Sequence, residues 1–77
     1  MTLKMFVKKE ADGYNAVVPS IKGCECWAPD EYTAVDEIIE ILRYYLKLKP
    51  SISVSPERGS LEGSKRNYIL LIAGKNY

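Results

Sequence analysis

The first third of the chain alternates between apolar and polar side chains with a period of two. Residues 2–9 carry apolar side chains at every second position, which indicates a β-strand with one buried face. An Asp-Gly dipeptide at 12–13 predicts a tight hairpin, because both residues tolerate a positive φ. We therefore expect residues 14–18 to return antiparallel to the first strand. Pro19 should end that strand, and Cys24–Ala28 should form a third strand beside it.

The middle of the chain changes to the period of an amphipathic helix. Thr33 is the predicted N-cap, with Asp36 at the position of a capping box, and Pro50 is expected to stop the helix. Acidic residues occupy the first turns and basic residues the last, as the helix dipole favours. The apolar positions that form one helical face are Val35, Ile38, Ile39, Leu42, Tyr45 and Leu46.

The remainder of the chain predicts one more strand after a polar connection. Residues 51–55 alternate and are expected to form a brief edge strand, and residues 56–64 are interpreted as a mobile loop. Tyr68–Ala73 is apolar on both faces, which is typical of a strand buried between neighbours or layers. The pattern predicts an α+β fold over residues 1–77: a three-stranded antiparallel meander, one amphipathic helix and a final strand, in a single domain.

The chain has more large apolar side chains than one helix packed on a small sheet needs for its core. Ile41, Tyr44 and Leu48 widen the apolar stripe of the helix, so they belong either to a fuller core or to a protein interface. We expect Trp27 to pack under the helix, although Trp27 and Tyr32 are also of the types enriched at binding hot spots. These five residues are the candidate partner-binding residues.

Composition and charge restrict the classes of partner. A chain of 77 residues forms one domain with a thin core, and 47% apolar residues is too high for a disordered tail. The net charge of +1 is too small for a typical nucleic-acid binder, so we expect scattered lysines and no direct binding of nucleic acid. No apolar run approaches the roughly 20 residues that span a bilayer, and no signal peptide is recognised. The expected location is the cytoplasm.

The chain contains few side chains of the types that act in catalysis or bind a metal ion. The chain has no histidine, so the usual nucleophilic triads and general bases of neutral pH are missing. Cys24 and Cys26 supply two of the four ligands of a zinc site, and on a strand they share one face, where free thiols pack as small hydrophobes. Asp36 and Glu40 share a helical face on the polar side, which makes a poor catalytic pair. We expect no enzyme activity, no cofactor and no metal.

Residues 13–24, with the sequence GYNAVVPSIKGC, resemble the signature of HicB-like antitoxin domains. That family has a tyrosine, an alternating strand, a proline, a small turn and a Gly-Cys or similar pair. The resemblance continues through the short strand at Cys24–Ala28, the threonine Thr33, and the helix that opens with the acids Asp36 and Glu37. It covers residues 13 to about 46.

The resemblance implies a truncated ribonuclease-H-like fold without ribonuclease activity. Family members neutralise a small RNA-cleaving HicA toxin by binding over it, and many assemble into dimers or larger oligomers. Many also carry a DNA-binding module after the last strand, which we do not recognise in residues 1–77. The resemblance therefore implies a small basic toxin as the partner and a homo-oligomer as the assembly.

Three other hypotheses stay open beside the antitoxin. The chain could be an orphan domain that assembles with itself through Tyr68–Ala73 or through an edge at residues 51–55. It could bind nucleic acid if its lysines gather beside Tyr14, Trp27 or Tyr32. Catalysis through carboxylates or a cysteine-bound metal is the last of the four.

Overall fold

The structure, a computed structural model, describes residues 1–74. One helix and five strands follow one another in the order β-β-β-α-β-β. Their bounds are β1 Thr2–Lys9, β2 Tyr14–Val17, β3 Glu25–Ala28, α1 Glu31–Tyr45, β4 Ser53–Glu62 and β5 Lys65–Ala73.

The five strands form one sheet in the spatial order β3-β2-β1-β5-β4, and every neighbouring pair is antiparallel. Val7 of β1 lies opposite Ala16 of β2, and Met5 of β1 lies opposite Tyr68 of β5. The α+β class, the three-stranded meander, the single helix and the strand at Tyr68–Ala73 are confirmed.

The segment after the helix differs from its sequence prediction. Residues 56–64 were expected to form a loop, but β4 runs from Ser53 to Glu62 and turns into β5 at Gly63, whose φ is +63°. The prediction was wrong because β4 is an edge strand that is exposed along most of its length, so its polar sequence resembles a loop. A strand entering the sheet directly from the helix would run parallel to β1. The extra strand reverses the chain, so β5 pairs antiparallel with β1.

The core lies between the helix and one face of the sheet. Helix α1 contacts β1, β2 and β3 most extensively, and β5 adds side chains to the same core. The molecule measures 41 × 20 × 20 Å. The buried residues of this cluster are Met5, Val7, Ala16, Val18, Cys24, Ala28, Ala34, Val35, Ile38, Leu42, Tyr68 and Leu70.

Both ends of the helix differ from the predicted ends. Asp30, and not Thr33, is the N-cap: its Oδ1 accepts a hydrogen bond from the Thr33 backbone N–H at 2.8 Å. Its Oδ2 accepts from the Thr33 hydroxyl at 2.9 Å, and these bonds hold the pKa of Asp30 below its usual value. The last helical residue is Tyr45, because the chain leaves the helix at Lys47 with a φ of +52°, before it reaches Pro50.

Candidate protein-binding surfaces

Trp27 lies on the face of the sheet that points away from the helix. Its neighbours Cys26 and Ala28 pack toward the helix, and successive side chains of a strand point to opposite faces. Half of the Trp27 side chain is exposed. The prediction that Trp27 packs under the helix is therefore wrong. Cys24 and Cys26 were predicted to share the buried face, and on the same strand residue 27 then points to the opposite face.

The indole of Trp27 covers Gly13. A Cβ atom at Gly13 would lie 2.5 Å from Cζ2 of Trp27 and 2.7 Å from the carbonyl oxygen of Ala28. Neither Asp12 nor Gly13 has a positive φ, and the loop closes through a 2.7 Å hydrogen bond from the Glu10 N–H to the Gly13 carbonyl. The hairpin prediction is confirmed, but glycine is needed here for close approach and not for turn geometry.

The sheet face opposite the helix carries a continuous track of large apolar side chains. Phe6 lies opposite Val17 on β2, and Ile69 on β5 is a diagonal neighbour of Phe6. Ile69 and Trp27 are the most exposed of these side chains, at 38% and 50%. We call this surface the open sheet face, and its apolar residues are Phe6, Val17, Trp27, Ile69 and Leu71.

The charges of the open sheet face are balanced. Lys8 and Lys65 lie opposite each other, and the Lys65 ammonium is 5.1 Å from the centre of the Phe6 ring. The nucleic-acid hypothesis required lysines beside Tyr14, Trp27 or Tyr32, whereas this pair lies beside Phe6. Moreover, the described residues of this face include three acids beside three lysines, so they form no basic patch. The charged residues are Lys4, Lys8, Lys65, Glu25, Glu57 and Glu62.

A second surface runs along the outer side of the helix. Glu37, Glu40, Ile41 and Tyr44 are spaced three and four residues apart, so they follow one another on one side of α1. We call these four residues the helix stripe. Tyr44 is 80% exposed, and Ile41 is partly buried against the core. Ile41 also lines an open groove of about 420 Å³ together with Asp36, Glu37 and Glu40.

The five predicted binding residues do not form one surface. Ile41 and Tyr44 share the helix stripe, whereas Trp27 belongs to the open sheet face. Tyr32 is 76% exposed but lies twelve positions before Tyr44, which turns it roughly 120° around the helix. Leu48 lines a different groove, of about 350 Å³, at the end of the helix with Met1, Leu46, Ile52, Ile72 and Gly74.

A polar cluster that the sequence did not indicate joins the start of the helix to the β4–β5 hairpin. The Glu31 carboxylate accepts hydrogen bonds from Arg58 Nε at 3.0 Å and from Arg58 Nη2 at 3.3 Å, and the Tyr68 hydroxyl donates to the same carboxylate. These bonds, those of Arg58 first, hold the pKa of Glu31 below its usual value. Burial, followed by the carboxylate, raises the pKa of Tyr68 to about 12. At neutral pH Glu31 stays ionised and Tyr68 stays protonated, so these hydrogen bonds hold the start of the helix against the β4–β5 hairpin.

The two cysteines pack as predicted. Cys24 is fully buried, and the Cys26 thiol donates to the Ala34 carbonyl of the helix at 3.5 Å. Burial raises the pKa of both thiols, and the Glu37 charge raises that of Cys26 further. Both groups are therefore weak nucleophiles at neutral pH. Within residues 1–74, no three His, Cys, Asp or Glu side chains gather where they could hold a metal ion.

Comparison with protein-family models, with curated proteins and with solved structures found no match to this chain. The HicB-like resemblance of residues 13–46 therefore stays a prediction. No helix among the described residues is long and apolar enough to cross a bilayer.

Proposed function

We propose that this chain is an antitoxin-like protein-binding domain that sequesters a small, basic, RNA-cleaving toxin of the HicA type. The sequence resemblance at residues 13–46 suggests the class of partner. The helix stripe is the structural feature that supports the proposal. It combines the exposed side chain of Tyr44 with a groove that is lined by Ile41 and neighbouring carboxylates. Such a toxin acts on cellular RNA, so the proposal includes a cytoplasmic location.

The chemistry of the helix stripe suits a basic protein partner. Tyr44 supplies a large, rigid contact with few rotatable bonds, which is the type of side chain that dominates binding energy at interfaces. Glu37 and Glu40 lie beside it, and Asp36 adds a third carboxylate at the groove. Carboxylates around an apolar contact attract a basic surface and discriminate against acidic ones. A protein that inhibits a toxin by binding over it needs no catalytic group of its own.

Two tyrosines of the same helix provide the test. Tyr44→Ala and Tyr32→Ala remove similarly exposed side chains, 80% and 76%, on different sides of α1. Binding to a purified HicA-type toxin would be measured by calorimetry, and inhibition by the toxin's cleavage of RNA. We expect Tyr44→Ala to weaken binding by roughly 10- to 100-fold and Tyr32→Ala to change it little. Absence of binding by the unaltered chain, or equal losses in both variants, would reject the proposal.

The second candidate function is an orphan domain that assembles with itself and has no toxin partner. The open sheet face supports this candidate, because its described residues include an apolar track among the polar side chains that a free face normally presents. The apolar track consists of Phe6, Val17, Trp27, Ile69 and Leu71. Self-assembly is also compatible with toxin binding, since the helix stripe lies on the other layer of the molecule.

A further inference from the structure

The strand β5 is apolar on both faces but is covered on only one. Tyr68 and Leu70 are buried toward the helix, at 4% and 0% exposure. Ile69 and Leu71 alternate with them and point to the open sheet face. The sequence of β5 is typical of a strand between two layers, and residues 1–74 supply only one layer. A second layer over the open sheet face would bury the remaining apolar side chains.

We propose that a second copy of this chain covers the open sheet face and forms a face-to-face homodimer. This inference rests on the self-association suggested above and names its surface. Among residues 1–74, three lysines and three glutamates share the face, so two copies of this surface meet without net repulsion. A nucleic acid or a strongly basic protein would find no matching excess of charge there.

The edges of the sheet favour contact through the face. The outer strand β4 contains Pro56 and an irregularity between Arg58 and Leu61, and both features interrupt pairing with another strand. At the other edge, β3 has only four residues. Edge-to-edge pairing, including pairing through residues 51–55, is therefore disfavoured, whereas face-to-face sheet packing needs no free backbone groups.

The area of the face suits a dimer of moderate affinity. Strands about 4.8 Å apart that rise about 3.4 Å per residue give the five-stranded face roughly 500 Å² per copy, allowing for the short β2 and β3. The pair then buries about 1,000 Å², which is close to the lower limit for a specific interface. Interfaces of this size include weak and transient ones, so we expect the dimer to dissociate on dilution.

Sedimentation velocity over a series of concentrations tests the dimer. The unaltered chain should approach twice its mass of 8.7 kDa as concentration rises. Ile69 lies between Lys4 of β1 and Glu57 of β4. The variants Ile69→Glu and Ile69→Lys place a negative and a positive charge at this position, and each should weaken dimerisation at least about 30-fold. Leu61→Glu is the matched control, because Leu61 is a 57% exposed side chain of the same hairpin on the other face.

A second measurement needs no substitution and so avoids any failure of a variant to fold. Acetylation of Lys4, on the open sheet face, should slow at least about threefold relative to Lys22, in an exposed loop, as the chain is concentrated into the dimer range. A chain that stays monomeric at every concentration, an unchanged Lys4 rate, or dissociation by Leu61→Glu alone would overturn the homodimer. Toxin inhibition by a monomeric Ile69→Glu variant would leave the antitoxin proposal standing.

Discussion

Adding a single methyl group at Gly13 should destabilise the first hairpin. In Gly13→Ala the new Cβ would lie 2.5 and 2.6 Å from two ring atoms of Trp27, and 2.7 Å from the Ala28 carbonyl oxygen. All three separations are shorter than van der Waals contact, so either the indole or the pairing of β2 with β3 must shift.

The magnitude depends on which of these groups can move. The indole is half exposed and can rotate away, but the Ala28 oxygen belongs to the backbone of β3, which pairs with β2. Overpacking of this kind costs about 1–3 kcal/mol. In a domain of this size each kcal/mol lowers the melting temperature by roughly 4–8 °C. Because the carbonyl contact remains, Gly13→Ala should still be destabilising in a Trp27→Ala background, with a smaller cost.

Thermal and urea unfolding would measure this loss. Trp27 is the chain's single tryptophan, so its fluorescence spectrum should shift in Gly13→Ala as the indole moves. Asp12→Ala is the matched control, because it alters the neighbouring exposed loop position and adds no atom against the sheet. A Gly13→Ala variant with unchanged stability and unchanged fluorescence would refute the close approach of Trp27 and β3 to this loop.

Two further predictions concern the core and the polar cluster. Ile38→Ala, at a fully buried position, should lower the free energy of unfolding in urea by about 2–5 kcal/mol, and a loss below about 1 kcal/mol would contradict the core described above. Glu31→Gln should destabilise the chain at neutral pH. The pKa of Glu31 is lower in the folded state than in the unfolded state, where it is about 4.3. The ionised carboxylate therefore stabilises the fold fully above the unfolded-state pKa. This stabilisation is lost as the pH falls through the folded-state pKa. Unfolding free energies of the two proteins should therefore converge in acid, and a constant difference from pH 7 to pH 3 would contradict this role.

Sequence patterns predicted the elements whose signals are local. The period-two strands and the period-3.6 helix each bury one face, so hydrophobic spacing alone locates them. Strand β4 was missed because it is stabilised by pairing with β5 and not by burial of its own side chains. The helix N-cap was misplaced by three residues because Asp30 and Thr33 are both favourable capping residues, and only the backbone conformation distinguishes them.

The candidate surfaces were less predictable than the fold. Trp27 could have been assigned to the open sheet face by strand alternation, once Cys24 and Cys26 were placed in the core. The contacts of Glu31 with Arg58 and Tyr68 join residues 27 and 37 positions apart, and no periodic pattern reports such pairs. Exposure also could not be read from residue type, since Tyr44 is exposed and Tyr68 is buried.

An NMR titration of the isotope-labelled chain with an unlabelled HicA-type toxin tests the central proposal most directly. We expect the largest changes in the amide signals to fall on the helix stripe and to saturate at one toxin per chain. The helix stripe consists of Glu37, Glu40, Ile41 and Tyr44. The signal of the Trp27 indole N–H, on the opposite face, should change little. An unchanged spectrum at equal concentrations, or changes confined to the open sheet face, would contradict binding through the helix stripe.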